Sequence, residues 1–282
     1  MVQSLSMLVH GPSKAGKSLL AASTPTPRLY LDVEMAARFL PLKAIEWNAK
    51  SAPPVPDGTW DTVVVPIREW MDAVNAVKWL LSGKHPFVSV SLDSVSELQQ
   101  RYLEHIAGRA SVQVQQWGSA LREVAGLIRD LRDLTGHPTN PLQAVVVTAM
   151  TKVKQDGRYY PFLQGQLQDS IPYLLDITAF LDNEPGPGGI EQRKLYTRKT
   201  PKYLAGERVG GRIPPILILP DVSGATQEEV SAKNITFSAL IQAVYSTHTA
   251  ISAPAAVDTT PSDFGSHGPM LDPDDMPAAA SK

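Results

Sequence analysis

The sequence has no cysteine at all. That absence excludes disulfide bridges, thiolate zinc sites and cysteine nucleophiles. Histidine is also scarce, and its six positions are scattered without the spacing of a metal site, so histidine chemistry receives little weight. No run approaches the roughly 18 consecutive apolar residues of a membrane span, and residues 1–8 lack the basic start of a signal peptide. These absences predict a cytoplasmic chain without a membrane partner.

The sequence also has no large excess of positive or negative charge. The 26 basic and 28 acidic residues leave a net charge of −2 at pH 7, which excludes a uniformly basic nucleic-acid coat. With 43% hydrophobic and 19% charged residues, the composition is that of a globular protein, so wholesale disorder is excluded too. The length of 282 residues fits one large α/β domain or two small ones.

Large apolar residues become rare after about Ala250. The remaining segment carries five aspartates against one lysine, and it has too few apolar groups to offset the entropy of ordering. We therefore predict one domain over residues 1–249 and a disordered acidic tail over residues 250–282. Three uses of the tail stay open: competition with nucleic acid for basic surface, docking of a single-strand-binding or recombination partner, and simple solubilisation.

Short apolar runs alternate with longer amphipathic segments over most of the chain. This alternation is typical of βαβ units around a wide, mainly parallel sheet that is flanked by helices. Helical spacing of apolar residues predicts helices around 70–81, 94–106 and 117–131, while Pro and Gly predict loops at 51–58, 136–141 and 184–189. The predicted strands are 5–9, 28–31, 62–65, 87–92, 143–148, 177–181, 194–197 and 216–219.

The most specific motif is Gly11-Pro-Ser-Lys-Ala-Gly-Lys-Ser18, between a predicted strand and a predicted helix. This is the phosphate-binding P-loop pattern G-x-x-x-x-G-K-[ST] in the context that it requires. Its backbone N–H groups converge on phosphate oxygens, while the lysine reaches the β- and γ-phosphates and the serine binds Mg²⁺. The predicted nucleotide-binding residues are Gly11, Pro12, Ser13, Lys14, Ala15, Gly16, Lys17 and Ser18.

Acidic residues end two of the predicted strands. Asp93 follows the run Phe87 to Leu92 and is the expected magnesium partner of Ser18; the alternative is that it caps the next helix. Asp32 and Glu34 follow a second run and lie on the same side by alternation, so either could face the phosphates. For these two, the alternative is stabilisation of a helix through Ala36 and Phe39.

The order of these motifs, continued by the apolar strand that ends in Thr148, resembles the ATPase core of the RecA superfamily. Within that superfamily, residues 3–245 resemble the compact phage ATPases associated with single-strand annealing. In such proteins a glutamate on the strand after the P-loop activates water, and Glu34 holds the matching place. Thr148 stands where RecA has a residue that senses the γ-phosphate, and its hydroxyl can bond a phosphate or a water.

Basic and aromatic residues alternate directly after this strand. Cations for phosphates and aromatic faces for bases are the components of a single-strand site, and in RecA-like proteins the loop at this place contacts DNA. The alternative is a β-hairpin that turns at Asp156-Gly157 and packs its aromatics on the sheet. The candidate DNA-binding residues are Lys152, Lys154, Arg158, Tyr159 and Tyr160.

A second basic segment runs from Arg193 to Lys202 and is followed by Arg208 and Arg212. Three uses are open: an edge strand protected by Lys and Arg, a DNA track, or a cation that completes the ATP site of a neighbouring subunit. By resemblance to the phage ATPases, Arg208 is the leading candidate for the residue that acts in trans.

The sequence thus predicts a homo-oligomeric ATPase that uses ATP and Mg²⁺, binds single-stranded DNA and serves phage-type recombination or annealing. Lys17 and Glu34 are its candidate catalytic residues, and Ser18 and Asp93 its candidate metal ligands. Two alternatives stay open: a P-loop kinase that phosphorylates a small molecule, and a module that binds ATP without hydrolysis to lock an annealing oligomer.

Overall fold

The strands at the centre of the molecule are fully buried apolar runs. The computed structural model describes residues 2–189, 191–220 and 236–246, and in this part of the chain the strands order as β12-β10-β9-β1-β6-β5-β2-β4-β3, with β11 paired to β9. Those in the sheet are β1 Leu5–His10, β2 Arg28–Asp32, β3 Ala44–Glu46, β4 Thr62–Pro66, β5 Ser89–Asp93, β6 Ala144–Ala149, β9 Ile177–Pro185, β10 Glu191–Tyr196, β11 Gly206–Glu207 and β12 Ile216–Leu219. Every pair from β9 through β1 to β3 is parallel, whereas β10, β11 and β12 pair antiparallel.

Helices cover both faces of this sheet. Alternate residues of a strand point to opposite faces, and in β1 Leu8 joins one hydrophobic core while Met7 and Val9 join the other. The first core packs against α2, α3, α4 and α5, and the second against α1 and α6. The helices are α1 Lys17–Ala21, α2 Trp70–Leu81, α3 Val95–Ala107, α4 Val114–Asp133, α5 Leu167–Leu174 and α6 Phe237–Tyr245.

This architecture confirms the predicted fold class of a wide, mainly parallel sheet between helices. All the predicted strands occur, and so do the helices predicted after the P-loop and around 70–81, 94–106 and 117–131, with bounds shifted by a few residues. In the described ranges no helix is both long and apolar enough to cross a membrane. The predicted tail, residues 250–282, lies outside the described residues.

Because these strands pair in parallel, their carboxyl ends, which carry the candidate site residues, lie at one edge of the sheet. Asp32 lies opposite Asp93 in the register, and Thr148 lies opposite Val9, two residues before the P-loop. The carboxyl ends of β1, β2, β5 and β6 therefore meet, which is where ligands bind in open α/β sheets.

Two expectations about the last strands are wrong. The predicted loop at 184–189 begins later, because β9 continues to Pro185, which pairs with Glu191. Proline is tolerated there because β1 pairs only with residues 177–180, so among the described residues the end of β9 pairs with β10 alone. The basic strand β10 is also not an edge strand, since β12 pairs with its outer side.

The segment after β6 forms a β-hairpin, which the sequence analysis gave as the alternative to a DNA-binding loop. Strands β7 Thr151–Val153 and β8 Tyr159–Pro161 pair antiparallel, and the turn closes where Lys154 N–H donates to the Arg158 carbonyl at 3.0 Å. Gly157 takes a φ of 74° at this turn, which glycine adopts without strain. A small two-stranded sheet thus stands beside the carboxyl end of β1 and β6.

Candidate functional site

The P-loop leaves β1 and enters α1 through two positions that only glycine fits. A Cβ on Gly11 would lie 2.0 Å from the Leu181 carbonyl oxygen of β9. Gly16 has a φ of 92°, in the left-handed region, and a Cβ there would lie 2.5 Å from the Arg193 guanidinium. Ser13, Lys14 and Ala15 complete the turn between them. The loop backbone is therefore fixed by its packing against β9 and β10.

Lys17 is turned toward this loop. Its ammonium group donates to the carbonyls of Gly11 at 3.0 Å and Pro12 at 2.7 Å. Burial lowers the pKa of Lys17, and the nearby carboxylates of Glu34 and Asp93 act in the opposite direction. The structure thus brings the P-loop lysine and the two predicted acids into one site.

Asp93 is a buried carboxylate held by two hydroxyl groups. Its side chain is 1% exposed, and it accepts a hydrogen bond from the Tyr30 hydroxyl at 2.7 Å and another from Thr148. These donors come from β2 and β6, the two neighbours of β5 in the sheet. The capping alternative for Asp93 is wrong, because Ser94 is the residue whose side chain accepts from the first turn of α3. Asp93 is accordingly free of a helix-capping role and is aimed at the site.

Tyr30 is a site residue that the sequence analysis missed. Its hydroxyl donates to Asp93 at 2.7 Å, and the Ser18 side chain lies close enough to affect it, so Tyr30 stands beside both the P-loop and the strand-end carboxylate. Burial, followed by the charge of Asp93, raises the pKa of Tyr30 well above its ordinary value, which keeps it a neutral donor. Alternation along β2 places Tyr30 on the same side as Asp32, and that signal was available in the sequence.

Asp32 and Glu34 have different environments. Asp32 accepts from the Ala36 and Ala37 N–H groups at 3.0 Å each, and burial raises its pKa. It therefore stabilises the backbone that follows, although the expected helix is only a 3-10 turn. Glu34 is exposed; its carboxylate accepts from the Ser94 hydroxyl at 2.6 Å, and it lies close enough to Lys17 to influence its charge. Of the two acids, Glu34 is the one with a carboxylate open to water.

The donor set fits a magnesium ion. Ser18 and Asp93 offer hydroxyl and carboxylate oxygens, which hard cations prefer, and Tyr30 lies beside both groups. In the described ranges no three His, Asp or Glu side chains gather into a metal site. Mg²⁺ is commonly held by one or two protein oxygens together with phosphate oxygens and waters. Ser18 and Asp93 are the residues that would hold it here.

The candidate DNA-binding residues all lie in the hairpin, but Tyr159 makes different contacts from the other four. The ammonium group of Lys154 lies 4.1 Å from the centre of the Tyr160 ring, and the Arg158 guanidinium lies 5.7 Å from it. Lys152 stands 5.4 Å from the centre of the Phe162 ring. Tyr159 instead packs against Tyr203, in an aromatic cluster with Phe180 and Tyr196.

Arg208 and Arg193, both in the basic part of the chain after β9, lie in different places. Arg208 donates to the carbonyls of Tyr173 at 2.5 Å and Leu175 at 2.9 Å, near the amino end of β9 and away from the P-loop of its own chain. Arg193 reaches the P-loop and donates to the Gly16 carbonyl at 3.3 Å. Arg193 is thus a second contact that the sequence motifs did not indicate.

Replacement of Tyr30 by phenylalanine tests its position between Ser18 and Asp93. Without the hydroxyl, Asp93 loses a donor that lies beside Ser18. We expect the affinity for Mg²⁺-ADP to fall about tenfold, which corresponds to about 1.4 kcal/mol, while the affinity for ADP in EDTA stays unchanged. Titration calorimetry measures both. Tyr102→Phe, on α3, is the matched control; an equal loss with and without Mg²⁺ would contradict the assignment.

Comparison with known proteins identifies the family of the chain. A family model described as an AAA domain matches residues 3–209, which include the P-loop, Glu34, Asp93 and the hairpin. A search of the curated proteins gives no match. Among solved structures, a KaiC-like protein from the hyperthermophilic archaeon Pyrococcus horikoshii is similar at 13% identity and a TM-score of 0.40, over 77% of this chain and 89% of that one. On the match of the family model to most of its length, the chain belongs to the AAA domain family of P-loop ATPases.

Proposed function

We propose that the chain is an Mg²⁺-dependent ATPase that binds single-stranded DNA, assembles with copies of itself and acts in phage-type recombination or strand annealing. The observation that carries the enzymatic part is the convergence of Lys17, Glu34 and Asp93 at the P-loop. Phosphoryl transfer requires a cation on the phosphates, an acid that supports the metal and a group that orients the nucleophile. These three side chains supply those parts.

Each residue then has one task in hydrolysis. Lys17 neutralises charge on the β- and γ-phosphates. Ser18 and Asp93 are the residues that would hold Mg²⁺, and the ion would further neutralise the phosphate oxygens. Glu34, exposed and oriented by the Ser94 hydroxyl, accepts a hydrogen bond from the attacking water and aligns it with the γ-phosphate.

The proposed DNA surface rests on the hairpin and the chain segment beside it. Lys152, Lys154 and Arg158 lie over aromatic rings, so cations and stacking faces share one surface. The second basic segment adjoins the hairpin, since Tyr159 N–H donates to the Lys202 carbonyl at 2.9 Å. A cavity of about 320 Å³ between them is lined by Arg158, Lys199, Thr200 and Pro201. Both basic segments thus support the same interface for a polyanion.

Removal of the P-loop amine tests the nucleotide site. We expect Lys17→Ala to lower ATP turnover at least 10²-fold, because it removes the positive charge that stabilises the phosphates. Phosphate release with and without single-stranded DNA measures turnover. Lys78→Ala, an exposed lysine on α2, is the control. Wild-type turnover in a folded Lys17→Ala variant would refute the ATPase proposal.

Substitutions of the acids separate binding from chemistry. Glu34→Gln keeps its volume but orients water poorly, so we expect unchanged nucleotide affinity and a loss of turnover of about 10²-fold or more. Asp93→Asn is expected to weaken Mg²⁺-dependent binding as well. Asp32→Asn is the comparison. Slow wild-type turnover that Glu34→Gln leaves unchanged would favour the module that binds ATP without hydrolysis. Full turnover in Glu34→Gln, with turnover lost in Asp32→Asn, would transfer the role to Asp32.

The hairpin cations are tested by the salt dependence of binding. Each phosphate contact contributes about 0.7 to the slope of log affinity against log salt for a single strand. Replacement of Lys152, Lys154 and Arg158 by alanine is expected to lower the slope by up to about 2, with basal ATP turnover retained. The matched triple variant replaces Lys78, Lys84 and Arg109, which are exposed elsewhere. Equal slopes for the two triple variants would place the interface away from the hairpin.

A further inference from the structure

His10 is a buried histidine directly before the P-loop, and the proposed chemistry does not use it. Its side chain is 0% exposed and lies at the carboxyl end of β1. Nε2 is 2.7 Å from the Leu204 carbonyl oxygen, and Nδ1 is 3.1 Å from the Thr151 hydroxyl. Burial lowers the pKa of His10 to about 4, so the ring is neutral near pH 7. A carbonyl only accepts, so Nε2 carries the proton and Nδ1 is an acceptor.

The Thr151 hydroxyl therefore has two acceptors and one proton. It lies 2.9 Å from the Tyr160 carbonyl oxygen, across the hairpin, in addition to its contact with Nδ1 of His10. A hydroxyl has one proton to donate. Two discrete arrangements follow: Thr151 donates either to the histidine at the base of the P-loop or to the backbone of β8. The hairpin gains an internal hydrogen bond in the second arrangement and a bond to β1 in the first.

The P-loop can influence this choice through Gly11, the residue after His10. In the structure the Lys17 ammonium group donates to the Gly11 carbonyl at 3.0 Å. Phosphates that attract this ammonium group compete with that bond. Gly11 has little freedom to absorb the change on the side of β9, since its α-carbon is packed against the Leu181 carbonyl. Any shift of the loop backbone therefore moves His10 and its contact with Thr151.

His10 also contacts the chain just after Lys202, the last residue of the second basic segment. Leu204, whose carbonyl accepts from His10, donates its own N–H to the Tyr159 carbonyl at 3.0 Å. One side chain at the base of the P-loop thus holds both β7 and the segment that pairs with β8. The two parts of the proposed DNA surface have a common anchor.

We propose that His10 and Thr151 are positioning residues that couple nucleotide binding in the P-loop to the conformation of the β7–β8 hairpin. The coupling element is the Thr151 proton, whose two positions are biased differently with and without phosphates beside Lys17. The proposal rests on the proposed function for the identity of the ligand, a nucleoside triphosphate. It adds a route by which that ligand changes the affinity of the surface for a single strand.

Hydrogen exchange of the full chain tests the coupling without any nucleic acid. The probe is Mg²⁺ with a non-hydrolysable ATP analogue, and the readout is the exchange rate of backbone amides in residues 152–161. We expect the analogue to change these rates several-fold in the wild type and in Thr151→Ser, which keeps the hydroxyl. In Thr151→Val, which keeps the shape but has no proton to donate, we expect the analogue to leave the rates unchanged.

Thr197→Val is the matched control, because Thr197 is a buried threonine whose hydroxyl donates to the Pro214 carbonyl, outside the hairpin. It should behave as the wild type does. A response to the analogue that persists in Thr151→Val, or bound analogue with no response in the wild type, would overturn the proposal. Fluorescence anisotropy with a labelled single strand is read separately. Absence of strand binding in the wild type refutes the proposed DNA function, while the exchange data still decide the coupling.

Discussion

The hydrogen bonding of the Asp93 carboxylate organises the carboxyl edge of the sheet. A carboxylate buried in this way is stable only when its oxygens are satisfied, because an unpaired buried charge costs several kcal/mol. Tyr30 and Thr148 donate to it from the two flanking strands, and the Ser18 side chain of the P-loop lies close to Tyr30. The register of three strands is therefore linked to one side chain.

The hairpin depends on the same edge from two directions. The Ser96 hydroxyl, in the first turn of α3 after Asp93, donates to the Phe162 carbonyl at 2.8 Å and accepts from Met150 N–H at 3.0 Å. His10 holds the other side of the hairpin from β1. The hairpin is thus held both by the P-loop strand and by the helix that follows Asp93. This placement brings the hairpin, which carries the proposed DNA surface, next to the proposed ATPase site.

The sequence-based predictions are accurate where they depend on residues close in sequence, and they fail where they depend on pairing between distant segments. The P-loop, the strand-end acid Asp93 and the hairpin turn at Gly157 are local patterns, and the structure contains all three. The helix expected through Ala36 and Phe39 is only one 3-10 turn, because Leu40, the residue before Pro41, is extended and ends it. The edge-strand alternative for the second basic segment is wrong, because the pairing of β10 with β12 is a nonlocal choice.

The sequence by itself determined the P-loop, the parallel α/β class and the residue types available for chemistry, since each follows from spacing within one or two elements. Only the tertiary structure decided which groups meet. Tyr30 reaches Asp93 across 63 residues of sequence, and His10 reaches Thr151 across 141. It also separated Glu34 from Asp32, although both follow the same strand. Hydrogen bonds between distant segments depend on sheet order and register, and no local pattern encodes these because they arise from packing the whole chain.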